Sequence, residues 1–239
     1  MHGHTIEARL AMEAGRLRQS ISDIERHAGI DIPEEPRLVL VHDFEPLAGG
    51  QEIMGVIREI SRGRDDLGFV IDGFGMEEEG RGHVLSFRVV PDPGLEAFRC
   101  DLYRSIRHMI REGDAARARN EDFVFRAVIA SGLGGAAAGA ARSATGLPGA
   151  PGGGQRPVRR ITFPSEAVLI TMTDRGRIRA EYDILNDRIL DGRQALSGSA
   201  RYDMLAAYRR MRGIEVPPGR QMPGRTWVTS DTHFDHANI

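Results

Sequence analysis

The sequence predicts an α+β fold, an antiparallel sheet with flanking helices, and three observations predict it. Short apolar runs suited to strands recur between residues 37 and 183, interrupted by a few amphipathic helical stretches rather than alternating strictly with them. Two pairs of these runs are joined by tight polar turns, Glu77 to Gly82 and Asp174-Arg175-Gly176-Arg177, which marks antiparallel hairpins. Two segments also look alike: Pro36-Arg37-Leu38-Val39-Leu40-Val41 and Phe125-Arg126-Ala127-Val128-Ile129-Ala130 each open an apolar strand with Arg-x-Val.

Taken in order, residues Thr5 to Ala28 read as a helix, with Ile6, Leu10, Leu17, Ile21 and Ile24 at helical spacing. Gly29 to Pro36 break the pattern, and Arg37 to Phe44 form a strand. Gln51 to Arg62 is a second helix, Gly68 to Met76 and His83 to Val90 are paired strands, and Leu95 to Arg111 is an amphipathic helix. Asp122 to Ala130 is a strand. Ser131 to Gln155 is mostly Gly and Ala and reads as a flexible tract, a helix at its alanine-rich start being the weaker alternative. Glu166 to Thr173 and Ile178 to Asp183 form a hairpin, and Ala200 to Met211 a helix. Prolines 217, 218 and 223 with glycines 219 and 224 make a linker, after which Thr226 to Ser230 begins a new strand. The expected organisation is a helix over 1–28, a main domain over 29–212 with a Gly/Ala-rich insertion at 131–157, a linker over 213–225, and the start of a further domain over 226–239.

Composition narrows the classes. Of 239 residues, 41% are hydrophobic and 28% charged, and the net charge of -2 argues against a globally basic nucleic-acid binder while leaving a local basic cleft open. All 32 basic residues are arginine. Phosphate recognition by planar guanidinium forks and a GC-rich genome both produce that bias. The single cysteine, Cys100, excludes an internal disulfide. The start of the chain lacks an apolar signal core, and no apolar run approaches the roughly 20 residues that span a bilayer, so the cytoplasm and no membrane partner are expected.

The most specific motif is Ser230-Asp231-Thr232-His233-Phe234-Asp235-His236-Ala237-Asn238-Ile239. An apolar strand ending in Asp-x-His suits a dinuclear centre, since a carboxylate bridges two cations and an imidazole two residues on binds one of them. The string resembles the opening motif of the calcineurin-like metallophosphoesterases. That resemblance implies Asp231 and His233 as ligands of a divalent metal pair (Mn, Fe or Zn) and His236 beside the substrate phosphate. It covers the last 14 residues, and the family's later ligand blocks would follow Ile239, so the metal pair is expected in the full-length protein and not in this chain alone.

Residues 30–190 carry a second likeness. Gly82-His83-Val84-Leu85-Ser86-Phe87-Arg88-Val89-Val90-Pro91 leading into the Leu95 helix, and the later hairpin ending Ile178-Arg179-Ala180-Glu181-Tyr182-Asp183, resemble the two-histidine phosphoesterases, the superfamily of 2′-5′ RNA ligase-like proteins and cyclic phosphodiesterases. The resemblance implies bilobal antiparallel sheets around a central cleft. It also implies two His-x-Thr or His-x-Ser motifs across that cleft, one histidine a general base and the other a general acid. The matching positions here are Arg37 and Val39, then Arg126 and Val128. Arginine stays protonated, with a pKa above about 12, and valine donates no hydrogen bond, so that acid–base relay is lost.

Two readings of the arginines follow: Arg37 and Arg126 bind phosphate without chemistry, or they face solvent or pair with acids such as Glu35 and Asp122. His42 lies on the opposite strand face by parity and reads as structural, and His83 and His108 as surface or capping residues. Arg99, Arg104, Arg107 and Arg111 line either an RNA-binding surface or a solvated helix face. The resulting expectation is a phosphate-binding domain for RNA ends or nucleotides, fused to a metal-dependent phosphoesterase. The alternatives are a non-enzymatic regulatory module and an active 2′,3′-cyclic phosphodiesterase.

Overall fold

Thr5, Glu7 and Arg9 alternate with Ile6 and Ala8, and this period of two makes His4–Arg9 a strand, β1, where a helix was expected from Thr5. Helix α1 follows as Ala14–Ala28. Long-range pairing overrides the local helical pattern: β1 lies in the middle of the sheet, between two other strands, with Ile6 and Ala8 fully buried. Strand β1 is therefore part of the main sheet, and α1 packs on the same core.

The computed structural model describes residues 3–9, 14–32, 37–79, 82–147, 160–164 and 168–213. The remaining elements are β2 (Arg37–Pro46), α2 (Gly50–Ser61), β3 (Phe69–Glu79), β4 (Gly82–Pro91), α3 (Pro93–Ile106), β5 (Ile110–Glu112), α4 (Asp114–Glu121), β6 (Arg126–Leu133), α5 (Gly135–Thr145), β7 (Ile161–Phe163), β8 (Leu169–Asp174), β9 (Arg177–Asp183), β10 (Arg188–Asp191), α6 (Gly192–Ala195) and α7 (Gly198–Met211). This is an α+β architecture built on one antiparallel sheet, with strand order β10-β9-β8-β1-β2-β6-β4-β3-β7 and β5 paired to the far end of β2. No helix among the described residues is long and apolar enough to cross a membrane.

Three boundaries differ from the sequence reading for local reasons. The Leu95 helix stops at Ile106, because Ile110–Glu112 turns out to pair with Phe44–Pro46 of β2. The strand expected from Asp122 starts at Arg126, since α4 occupies the chain through Glu121. The Gly/Ala tract is ordered at its start: Ser131 to Leu133 complete β6, and Gly135–Thr145 forms α5, ended by Gly146 in the left-handed region at φ 67°. Ala138 and Ala141 are buried, and their small side chains let α5 approach α1, so packing offsets the poor propensity of the glycines. Residues 148–159, the linker from 214 and the strand expected at 226 lie outside the described residues.

The β8–β9 hairpin matches its sequence signal. Arg175 and Gly176 have φ of 50° and 77°, and positive φ at both central residues is what a type I′ turn requires. Helix α2 packs on α3 and β9, and α1 on α5. One apolar cluster joins Leu17, Ile21 and Ile24 of α1, Ile53 and Ile57 of α2, and Leu95, Phe98, Leu102 and Ile106 of α3 to the sheet.

Two halves of the sheet meet at a short seam. Among the described residues, β2 pairs with β6 at Arg37↔Val128 and Leu38↔Ala127. Leu38 and Ala127 are fully buried on one face, so Arg37 and Val128 stand on the other.

Candidate functional site

The two Arg-x-Val segments are brought together by that seam. Val39 and Arg126 lie one step beyond Leu38 and Ala127 in the same register, which sets all four residues of the paired motifs on one face of adjacent antiparallel strands. The face continues outward through paired positions. On one side Arg37 is level with Arg9, and Val39 with Glu7, Thr171 and Glu181; on the other Val128 is level with Ser86 and Gly75, and Arg126 with Arg88.

Each arginine of this face meets a carboxylate. Arg37 Nη1 donates to Glu7 Oε2 at 3.5 Å and to the Gly176 carbonyl at 3.1 Å. Glu7 is nearly buried and its other oxygen accepts from Thr5 Oγ1 at 2.6 Å, while Thr5 and Thr173 share a hydrogen bond of 2.7 Å. Arg9 Nη1 donates to the buried Glu181 at 3.0 Å, and Thr171 Oγ1 donates to the same oxygen at 3.1 Å. Arg126 pairs with Glu77 on β3, and Arg88 with Asp72 at 2.8 Å. The arginines do pair with acids, and those seen are Glu7 and Glu77. Asp122 ends α4 through its backbone N–H, and Glu35 lies outside the described residues.

The histidines are placed elsewhere. His42 has both main-chain groups held by the carboxamide of the fully buried Asn120, which accepts from the His42 N–H at 2.8 Å and donates to its carbonyl at 3.1 Å. Its ring lies 6.0 Å from that of Phe123. Burial, then the charges of Arg119, Arg126 and Arg99, lower its pKa to about 4, so the ring is neutral at pH 7. His83 pairs with Glu78 and Leu133 at the end of β4, away from Arg126, and its Nδ1 is buried without a partner among the described residues. His108 is exposed in the turn after α3.

The arginines expected on the Leu95 helix do not form one basic surface. Arg99 is buried, donating to the carbonyls of Leu40 and Asn120 with its guanidinium 4.1 Å from the Phe123 ring and 5.1 Å from that of Tyr103. Arg104 pairs with Asp101 and Arg107 with Glu121, while Arg111 sits on β5 and pairs with Glu45.

Asp231, His233 and His236 lie outside the described residues, and among those described no group of three or more His, Cys, Asp or Glu is arranged to hold a metal ion. The residues that sequence reasoning missed are Glu7 and Glu77, which engage the seam arginines, and Asn120, which stands in for a strand beside His42. The period of two from Thr5 to Arg9 carried the signal for Glu7; nothing local marks Asn120 as the partner of His42, 78 positions away. No protein-family model matches the chain, and none of the curated proteins matches it at a significant level.

Proposed function

We propose that residues 29–212, with β1 and α1, form a two-histidine-phosphoesterase-like domain that has exchanged acid–base chemistry for phosphate binding by Arg37 and Arg126. In this reading the domain presents RNA ends or nucleotide phosphates to a metal-dependent phosphoesterase domain that begins at Thr226. The observation that carries it is the seam: the two degenerate motifs share one face of adjacent antiparallel strands, with Arg37 opposite Val128. Arg37 also hydrogen-bonds through Nη1 alone among the described residues, so its Nε–Nη2 edge has no protein partner among them. The fused domain rests on the Asp231-x-His233 string and His236. A divalent pair bound there would supply hydroxide and clamp the phosphate oxygens.

The carboxylates on every arginine of this face favour a second reading, a non-enzymatic module in which the pairs only stabilise the sheet. Titrating a labelled RNA oligonucleotide against the wild-type chain and an Arg37→Ala/Arg126→Ala variant separates the two. Charge-assisted hydrogen bonds contribute about 1.5–3 kcal/mol each, so the phosphate reading expects at least tenfold weaker binding by the variant. Equal affinity sinks it and leaves the structural module.

A further inference from the structure

We infer that this face holds two separate anion positions, one at Arg37 and one at Arg126, and so takes the backbone of an oligonucleotide in preference to a single phosphate; the inference rests on the phosphate-binding reading above. The two side chains leave the seam in opposite directions. Arg37 reaches over β1 toward the β8–β9 turn and ends on Glu7 and the Gly176 carbonyl. Arg126 reaches the other way and ends on Glu77 of β3. Strands β1 and β3 are four steps apart in the sheet, separated by β2, β6 and β4. At about 4.8 Å per step that is roughly 19 Å along a flat sheet. One phosphate, holding its donors at about 3 Å, does not bridge guanidiniums turned outward over such a span, even with the sheet curved.

The carboxylates show that each guanidinium takes an anion, because a guanidinium fork offers carboxylate and phosphate oxygens the same geometry. The positions are unequal. Glu7 is nearly buried and tied to Thr5, so an anion at Arg37 adds beside it on the open edge of the fork. The Glu77 side chain is 54% exposed and swings aside, so an anion at Arg126 replaces it. Between them the ladder offers Val39, Val128 and Gly75 around the buried Ser86, a strip without charge on which sugar or base can rest.

The test measures binding of AMP and of a short single-stranded oligoribonucleotide to the full chain and to Arg37→Gln, Arg126→Gln and the double variant, each checked for wild-type circular dichroism. Two independent positions predict that each single change weakens the oligonucleotide by about tenfold and that the double loss is close to their product. AMP is expected to respond to only one of the changes. Glu77→Gln, on an exposed side chain, is expected to tighten oligonucleotide binding several-fold. If AMP weakens equally in both single variants and no further in the double, the arginines converge on one phosphate, and the inference fails while the phosphate reading stands. An unchanged oligonucleotide affinity in Glu77→Gln overturns the exchange at Arg126. If neither ligand binds the wild type or Glu77→Gln, both the inference and the reading beneath it fall.

Discussion

Replacing Asn120 by alanine tests the joint that holds β2 open beside α4. The carboxamide is fully buried and makes hydrogen bonds with the His42 N–H, the His42 carbonyl and Glu112. Strand β2 pairs with β6 at residues 37 and 38 and with β5 at residues 44–46, so the side chain of Asn120 fills the ladder between them. Truncation removes these bonds and leaves the main-chain groups of His42 without partners. An unsatisfied buried group costs about 1–3 kcal/mol, so the expected loss is about 3–5 kcal/mol. For a chain of this size that lowers Tm by about 10 °C. Urea unfolding followed by circular dichroism measures the loss. Asn120→Asp is the sharper comparison: it keeps the acceptor for the His42 N–H, loses both donors, and sets a carboxylate against Glu112, so it should destabilise at least as much as alanine. A loss under about 1 kcal/mol for both variants would refute the idea that this side chain completes the ladder.

Two further predictions concern charge. His42 has its folded pKa lowered from 6.5 to about 4, so the unfolded chain binds more protons between those values. Stability from this group is full above pH 6.5 and is lost as pH falls toward 4, by roughly 3 kcal/mol in all. Stability measured across that range should show this limb in the wild type and lose it in His42→Phe; an identical slope in both assigns the limb elsewhere. Arg9→Met strands the buried Glu181 with Thr171 as its remaining side-chain partner and should cost about 3 kcal/mol, while Arg9→Met/Glu181→Met should recover most of it. A double variant no more stable than the single one would show that the ion pair itself, rather than relief of an unpaired charge, sustains this part of the sheet.

Much of the local structure was legible from short-range pattern. The period of 3.6 in Gln51 to Arg62 gave α2, the polar turn at residues 174–177 gave the β8–β9 hairpin, and the Arg-x-Val repeat picked out two strands that prove to be neighbours. The errors came where local and long-range preferences conflict. His4–Arg9 fits a helical period when read together with α1, yet it inserts between β2 and β8, and the ladder bonds available there outweigh the propensity. Gly135–Thr145 is too rich in glycine to hold a helix alone, and contact with α1 supplies what its sequence lacks.

The chain's own sequence determined that Arg37 and Arg126 cannot relay a proton near neutral pH, because the identity of a side chain alone decides whether it can give one up there. It also carried, in Asp231 and His233, the ligand types of a metal site. Only the tertiary structure decided what the arginines face. Glu7 lies 30 positions from Arg37 and Glu77 lies 49 from Arg126, and no periodicity within a strand predicts a partner that arrives through the order of strands in a sheet. Register made the arginines neighbours, and the strands on either side turned them apart.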